Sequence, residues 1–123
     1  MNLASLYPIV EQFNEYINTG DLKGLSALMT TDHTFTDSAG SSVSGKTAVT
    51  SAWSGFFSAF PGYRNEFQHH QETQDVVAIQ GHSLCFDSRL NGPALWRAKV
   101  RGAKISEWQV YRDTAENRMT LGL

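Results

Sequence analysis

The chain reads as an α+β fold, three N-terminal helices packed on a curved, mainly antiparallel sheet, and two observations predict it. Apolar residues recur at helical spacing as far as Phe60, and after Pro61-Gly62 the apolar period switches from 3.6 to two. The later runs are joined by connections too short for crossover helices, so their strands must alternate in direction. At 123 residues the chain sits within the single-domain range, and one domain is expected over residues 1–123.

In the first predicted helix Ser5 can act as a cap, Pro8 falls in the opening turn, and Leu6, Ile9, Val10, Phe13, Tyr16 and Ile17 form one stripe before Gly20. Asp21 caps a second, shorter helix carrying Leu22, Leu25, Leu28 and Met29. Thr34 to Asp37 is a short β-prone piece, followed by a turn-like stretch from Ser38 to Ser44. The third helix presents Val49, Ala52, Trp53, Phe56, Phe57 and Phe60 on one face. Strands are then expected over 63–73, 76–90, 94–101 and 104–112, with 113–123 as a tail or an edge. Asn91-Gly92 marks a tight hairpin turn between two of them, because both residues tolerate positive φ, and Arg101-Gly102-Ala103 marks another.

Alternation within these strands puts His82, Leu84, Phe86, Trp96, Ala98, Val100, Trp108, Val110 and Arg112 on one face. A plain core would not choose a His and an Arg, so this face is expected to line a hydrophobic pocket for a small, flat, mostly apolar ligand. Phe13, Trp53, Phe57, Leu84, Phe86, Trp96, Trp108 and Arg112 are the candidate ligand contacts. His82 can protonate a developing oxyanion or orient a carboxylate, since imidazole changes state near neutral pH; the competing reading is a satisfied core histidine.

Ten basic and twelve acidic residues leave a formal charge of −2 with no basic cluster, which argues against nucleic acid as a partner. No stretch approaches the about eighteen apolar residues of a membrane span, so no membrane partner and a cytoplasmic location are expected. The single cysteine, Cys85, excludes an internal disulfide framework. His69 and His70 adjoin and would point to opposite faces of a strand, and no other ligand spacing is visible, so neither a metal nor a cofactor is expected. GSSVSGKT, Gly40 to Thr47, matches the phosphate-loop pattern, but that loop needs a buried parallel sheet with crossover helices, which an antiparallel meander does not supply.

Four segments resemble a known family: NTGDLKGLSALMTTDHTFTD, SGKTAVTSAWSGFFSAFPGYR, GHSLCF and ISEWQVYRDTAENRMTLGL. With the order of elements, they make the chain similar to the cone-shaped nuclear transport factor 2-like superfamily, in its SnoaL-like polyketide cyclase and ketosteroid isomerase-like branch. The resemblance implies a single SnoaL-like domain, a homodimer, and a general base at Asp37, since TFTDSAG is similar to the segment where ketosteroid isomerases carry theirs. A carboxylate in an apolar cavity can take a proton from carbon beside a carbonyl; alternatively, Asp before Ser-Ala-Gly forms a turn with its own backbone. The rest of the isomerase site does not carry over. Phe13 stands at the family's Tyr position and Trp96 near its second carboxyl, which leaves Tyr16 and His82 as the candidate acids. Two functions stay open: a cofactor-independent isomerase, cyclase or lyase acting on an apolar carbonyl compound, or a non-catalytic ligand-binding or dimerisation module of the same fold. For the homodimer, the outer sheet face with Leu95 and Tyr111 is the expected contact.

Overall fold

The computed structural model describes residues 5–123, and the elements run α1 (Tyr7–Thr19), α2 (Leu22–Leu28), β1 (Met29–Thr36), β2 (Ser42–Ser44), α3 (Lys46–Ala59), β3 (Arg64–Thr73), β4 (Val76–Leu84), β5 (Gly92–Arg101), β6 (Lys104–Arg112) and α4 (Ala115–Leu121). Six strands form one sheet in the order β2-β1-β6-β5-β4-β3. All neighbours are antiparallel except β1 and β6, which run parallel, so the sheet is mixed.

Three helices precede the meander, as expected, but a fourth follows it. α4 occupies the stretch read as a tail or an edge. Thr114 caps it by accepting the Asn117 N–H at 3.0 Å, and Gly122 ends it in the left-handed region at φ 73°. At seven residues it is too short for periodicity to reveal. The second helix also stops earlier than expected: Met29 begins β1, and Ser42 to Ser44 pair with β1 as a hairpin strand instead of a bare turn.

The Asn91-Gly92 turn is not formed. Asn91 has φ −103°, and the connection is the longer stretch 85–91 with a 3-10 turn at Ser88–Leu90. The Asn91 side chain instead accepts the Cys85 N–H at 3.1 Å and closes the loop from within. The Gly102-Ala103 turn is formed, both residues having positive φ of 58° and 62° between paired Arg101 and Lys104.

Pairing fixes the faces. Ile79 stands opposite Trp96 and Val77 opposite Ala98, so odd-numbered β4 residues share a face with even-numbered β5 residues. That face, with Trp108 and Val110 from β6, packs on Val10, Phe13 and Ile17 of α1 and on Val49 and Trp53 of α3. Burying these side chains supplies about 1.5–3 kcal/mol each relative to exposure. His82 pairs with Pro93 and Glu66 and therefore lies on the other face, one residue out of the expected alternation. There α4 contacts β5, Gln71 Nε2–H donates to Gly122 O at 3.0 Å, and Leu95 is fully buried. This face also carries an ion pair, with Arg97 Nη1 2.6 Å from Glu107 Oε1.

One close approach shapes the sheet edge. The pairing of β3 and β4 shifts register between Phe67 and His69, and Gly81 opposes Phe67 there. A Cβ on Gly81 would fall 2.1 Å from the Glu66 carbonyl oxygen, so only glycine admits this bulge.

Candidate functional site

The inner face closes on a cavity of about 380 Å³. β1 and the turn after it contribute Phe35, Asp37 and Ser38, and β2 contributes Val43. α3 presents Val49, Ala52, Trp53 and Phe56, the i, i+3, i+4, i+7 spacing of one helical stripe. Tyr63 and Asn65 come from the start of β3, Trp96 from β5, and Trp108 and Val110 from β6, while Leu90 closes the rim from the 3-10 turn. The space equals roughly a dozen waters at about 30 Å³ each. Asp37 is the one charged side chain among the described lining residues. A groove of about 420 Å³ runs along the outside of α1 past Tyr7, Glu11 and Glu15, but it is shallow and flanked by carboxylates.

Asp37 is half-buried, and its Oδ1 accepts the Ala39 N–H at 2.9 Å and the Ser41 N–H at 3.0 Å. The turn this makes fixes the carboxylate in the cavity wall. Trp96 is fully buried, and among the described residues its indole N–H has no acceptor. Burial pushes the Tyr63 hydroxyl above its usual pKa of 10.0, so it stays protonated at neutral pH; its bonds to Ser83 and Asn65 act weakly in the other direction.

Of the residues expected to make the site, the structure brings Asp37, Trp53, Trp96 and Trp108 together around the cavity. Phe13 and Phe57 stand behind the wall, with ring centroids 4.8 Å from Trp108 and 5.4 Å from Trp53. Tyr16 does not reach the cavity; its ring lies on α2, where a Cβ on Gly24 would come within 2.5 Å of it. His82 and Leu84 belong to the even-numbered positions of β4 and point away. His82 instead neighbours Asp113, whose carboxyl is held below the usual range by Arg118 and more weakly by His82. Phe86 is 72 % exposed on the 85–91 loop, and Arg112 is exposed where β6 ends.

The expected list missed Tyr63, Asn65 and the residues behind them. Asn65 is buried and bonded to Asn14 and Ser83. Asn14 and Asn18, one turn apart beside Phe13 and Ile17, were the available signal. His33 was also passed over: it is fully buried, with Nδ1 2.7 Å from the Ile105 carbonyl oxygen. A carbonyl only accepts, so Nδ1 carries the proton, and Nε2 is without a partner among the described residues.

The family model of the SnoaL-like domain matches residues 10–109, from the first turn of α1 into β6. The chain belongs to the SnoaL-like domain family. This SnoaL-like chain is also similar to solved structures. A SnoaL-like protein of Shewanella putrefaciens, described provisionally as a polyketide cyclase, superposes with a TM-score of 0.78 at 14 % identity, covering 97 % of this chain and 88 % of that one. A SnoaL-like protein of unknown function from Burkholderia thailandensis gives 0.75 at 13 % identity, covering 93 % and 99 %. A protein of Catenulispora acidiphila with a ketosteroid isomerase-like fold, solved in complex with trimethylamine, gives 0.69 at 18 % identity, covering 94 % and 92 %. At these identities the likeness concerns the fold. No curated protein matches the chain. Among the described residues no helix is long and apolar enough to cross a membrane, and no group of three His, Cys, Asp or Glu side chains could hold a metal ion.

Proposed function

We propose that this SnoaL-like chain binds a small, flat, mostly apolar carbonyl compound in the aromatic cavity and that Asp37 acts on it as a proton acceptor. The observation that carries this reading is the placement of the one charged lining side chain, Asp37, in the same wall as three tryptophans. Removal of a proton beside a carbonyl needs a fixed base and a donor for the oxygen that becomes negative. Asp37 is fixed by its two backbone bonds, and the Trp96 indole N–H, unpartnered among the described residues but with no surface open to the cavity, would become the donor through a shift of the ring on binding. Tyr16 and His82 leave this scheme, because neither lines the cavity. The reaction needs no cofactor: the proton leaves carbon for Asp37 and returns at another position, or the enolate carbon attacks a second carbonyl of the same compound, whose C=O π bond opens to an alkoxide that takes the proton back from Asp37.

A second reading, a binding module with the same cavity and no chemistry, is favoured by one observation. The bonds on Asp37 Oδ1 are those of an aspartate that forms its own turn. Deuterium exchange at the α-carbon of aromatic ketones separates the two. Wild-type protein should catalyse it, and Asp37→Asn should lower the rate by at least about 100-fold while binding survives. Tight binding with no exchange in the wild type would leave the second reading standing.

The homodimer enters this proposal in altered form. With Leu95 under α4, two copies would meet across the outer surface of α4, where the Met119 side chain is 84 % exposed.

A further inference from the structure

The polar groups behind the cavity form one relay, and a single backbone carbonyl sets its direction. The Asn65 C=O can only accept, and it receives Nδ2–H of Asn14 at 3.1 Å and of Asn18 at 3.0 Å. With the Asn14 amide nitrogen turned to that carbonyl, its Oδ1 faces the Asn65 side chain and takes Nδ2–H of Asn65 at 3.2 Å. The other end of the Asn65 amide is then an oxygen, 2.8 Å from Ser83 Oγ. An amide oxygen accepts, so the Ser83 proton goes to Asn65. Ser83 Oγ is left to accept from Tyr63 Oη, 3.2 Å away. Tyr63 has one proton, and in this arrangement it goes to Ser83. Flipping the Asn14 amide would set its oxygen against the Asn65 carbonyl. Reversing the Ser83–Tyr63 bond passes the Tyr63 proton to Asn65, its other partner, so in either arrangement that proton stays within the cluster and the Tyr63 oxygen is open to a ligand only as an acceptor.

From this geometry we infer that Tyr63 determines specificity as a hydrogen-bond acceptor, selecting ligands that turn a hydroxyl or N–H toward it over those that turn a carbonyl. The inference rests on the cavity being a ligand site, and a donor group on that ligand suits the Tyr63 oxygen. Asp37, the other strong polar group of the lining, is also an acceptor, and among the described residues no cationic side chain lines the cavity to recruit an anion. Hydroxyaryl ketones and their aminoaryl counterparts fit this pattern. Carboxylates and phosphates do not.

Isothermal titration with three matched compounds tests it: a hydroxyaryl ketone, its methyl ether, and the parent ketone with hydrogen at that position. Wild-type protein should bind the hydroxy compound about tenfold more tightly than both others, a difference of about 1.4 kcal/mol. Including the parent compound separates hydrogen bonding from size. Tyr63→Phe should bring all three within about twofold. Ser83→Ala removes one of the two partners of the Tyr63 hydroxyl and leaves Asn65 to take its proton, so the preference for the hydroxy compound should persist. Thermal melting confirms that each variant is folded, and Tyr63→Phe alone decides the question if Ser83→Ala is not. Equal affinity of all three for the wild type overturns the role of Tyr63 and leaves the cavity reading intact. No binding by any of them overturns both.

Discussion

Asp37 shows how one side chain can hold two roles that a substitution series can separate. Its Oδ1 organises the turn between β1 and β2 through two backbone N–H groups. Asn keeps an oxygen there and removes the charge, whereas Ala removes both. Asp37→Ala should therefore lower stability by about 0.5–1 kcal/mol relative to Asp37→Asn, read from urea midpoints, because the turn loses both bonds to the exposed Ala39 and Ser41 N–H groups. If the two variants are equally stable, the turn does not depend on this side chain. At this scale the sequence was informative about Asp37, Trp53, Trp96 and Trp108, whose residue types announce chemistry or wall area. It was silent on Tyr63 and Asn65, because the relay that gives them meaning joins α1, β3 and β4 across distances in sequence that no local pattern spans.

At the scale of elements, the legible parts were those governed by local rules. Helix stripes, the Gly102-Ala103 turn and the antiparallel meander follow from spacing and short connections. The hairpin expected at Asn91-Gly92 failed because the 85–91 loop satisfies itself internally, with Asp87 accepting the Arg89 N–H at 3.0 Å and Asn91 accepting that of Cys85. The cost of that failure fell on His82, since the strand partner, and not the strand's own pattern, decides which parity faces the core. The β3–β4 bulge carries a sharper test. Gly81→Ala places a methyl group against the Glu66 backbone, which no side-chain rotation can relieve. A loss of about 2–3 kcal/mol is expected in chemical denaturation, with the loss concentrated in β3 by hydrogen exchange. A change below about 0.5 kcal/mol would mean that the bulge readily reshapes.

For the molecule as a whole, pH dependence follows from His33. Burial is the dominant influence and pushes its pKa below the usual 6.5, against the smaller opposing effect of the Ile105 carbonyl. A folded-state value below the unfolded one means that the unfolded chain binds the proton first. Stability from this group is therefore complete above about pH 6.5 and is lost as pH falls toward the folded value, by up to about 1.4 kcal/mol per pH unit. His33→Gln should flatten the decline between pH 6.5 and 5; an unchanged slope would assign it to other groups. Assembly is the other property at this scale. The sequence pointed to Leu95 as a contact between copies, but a helix invisible to periodicity occupies that surface. A monomeric mass by sedimentation at micromolar concentration would remove the homodimer altogether, whereas a dimer should dissociate on Met119→Lys.

The chain contains three tryptophans, and all three line the same cavity. The protein's intrinsic emission therefore arises entirely from the wall an occupant would touch. Excited where tryptophan absorbs and tyrosine barely does, the protein is its own optical probe. Buried indoles emit to the blue, and a conjugated ketone within contact distance quenches them by energy or electron transfer. A compound that enters should dim all three residues together; one that adheres elsewhere should leave the spectrum nearly untouched. Label-free screening of unknown ligands is thus built into the placement of Trp53, Trp96 and Trp108.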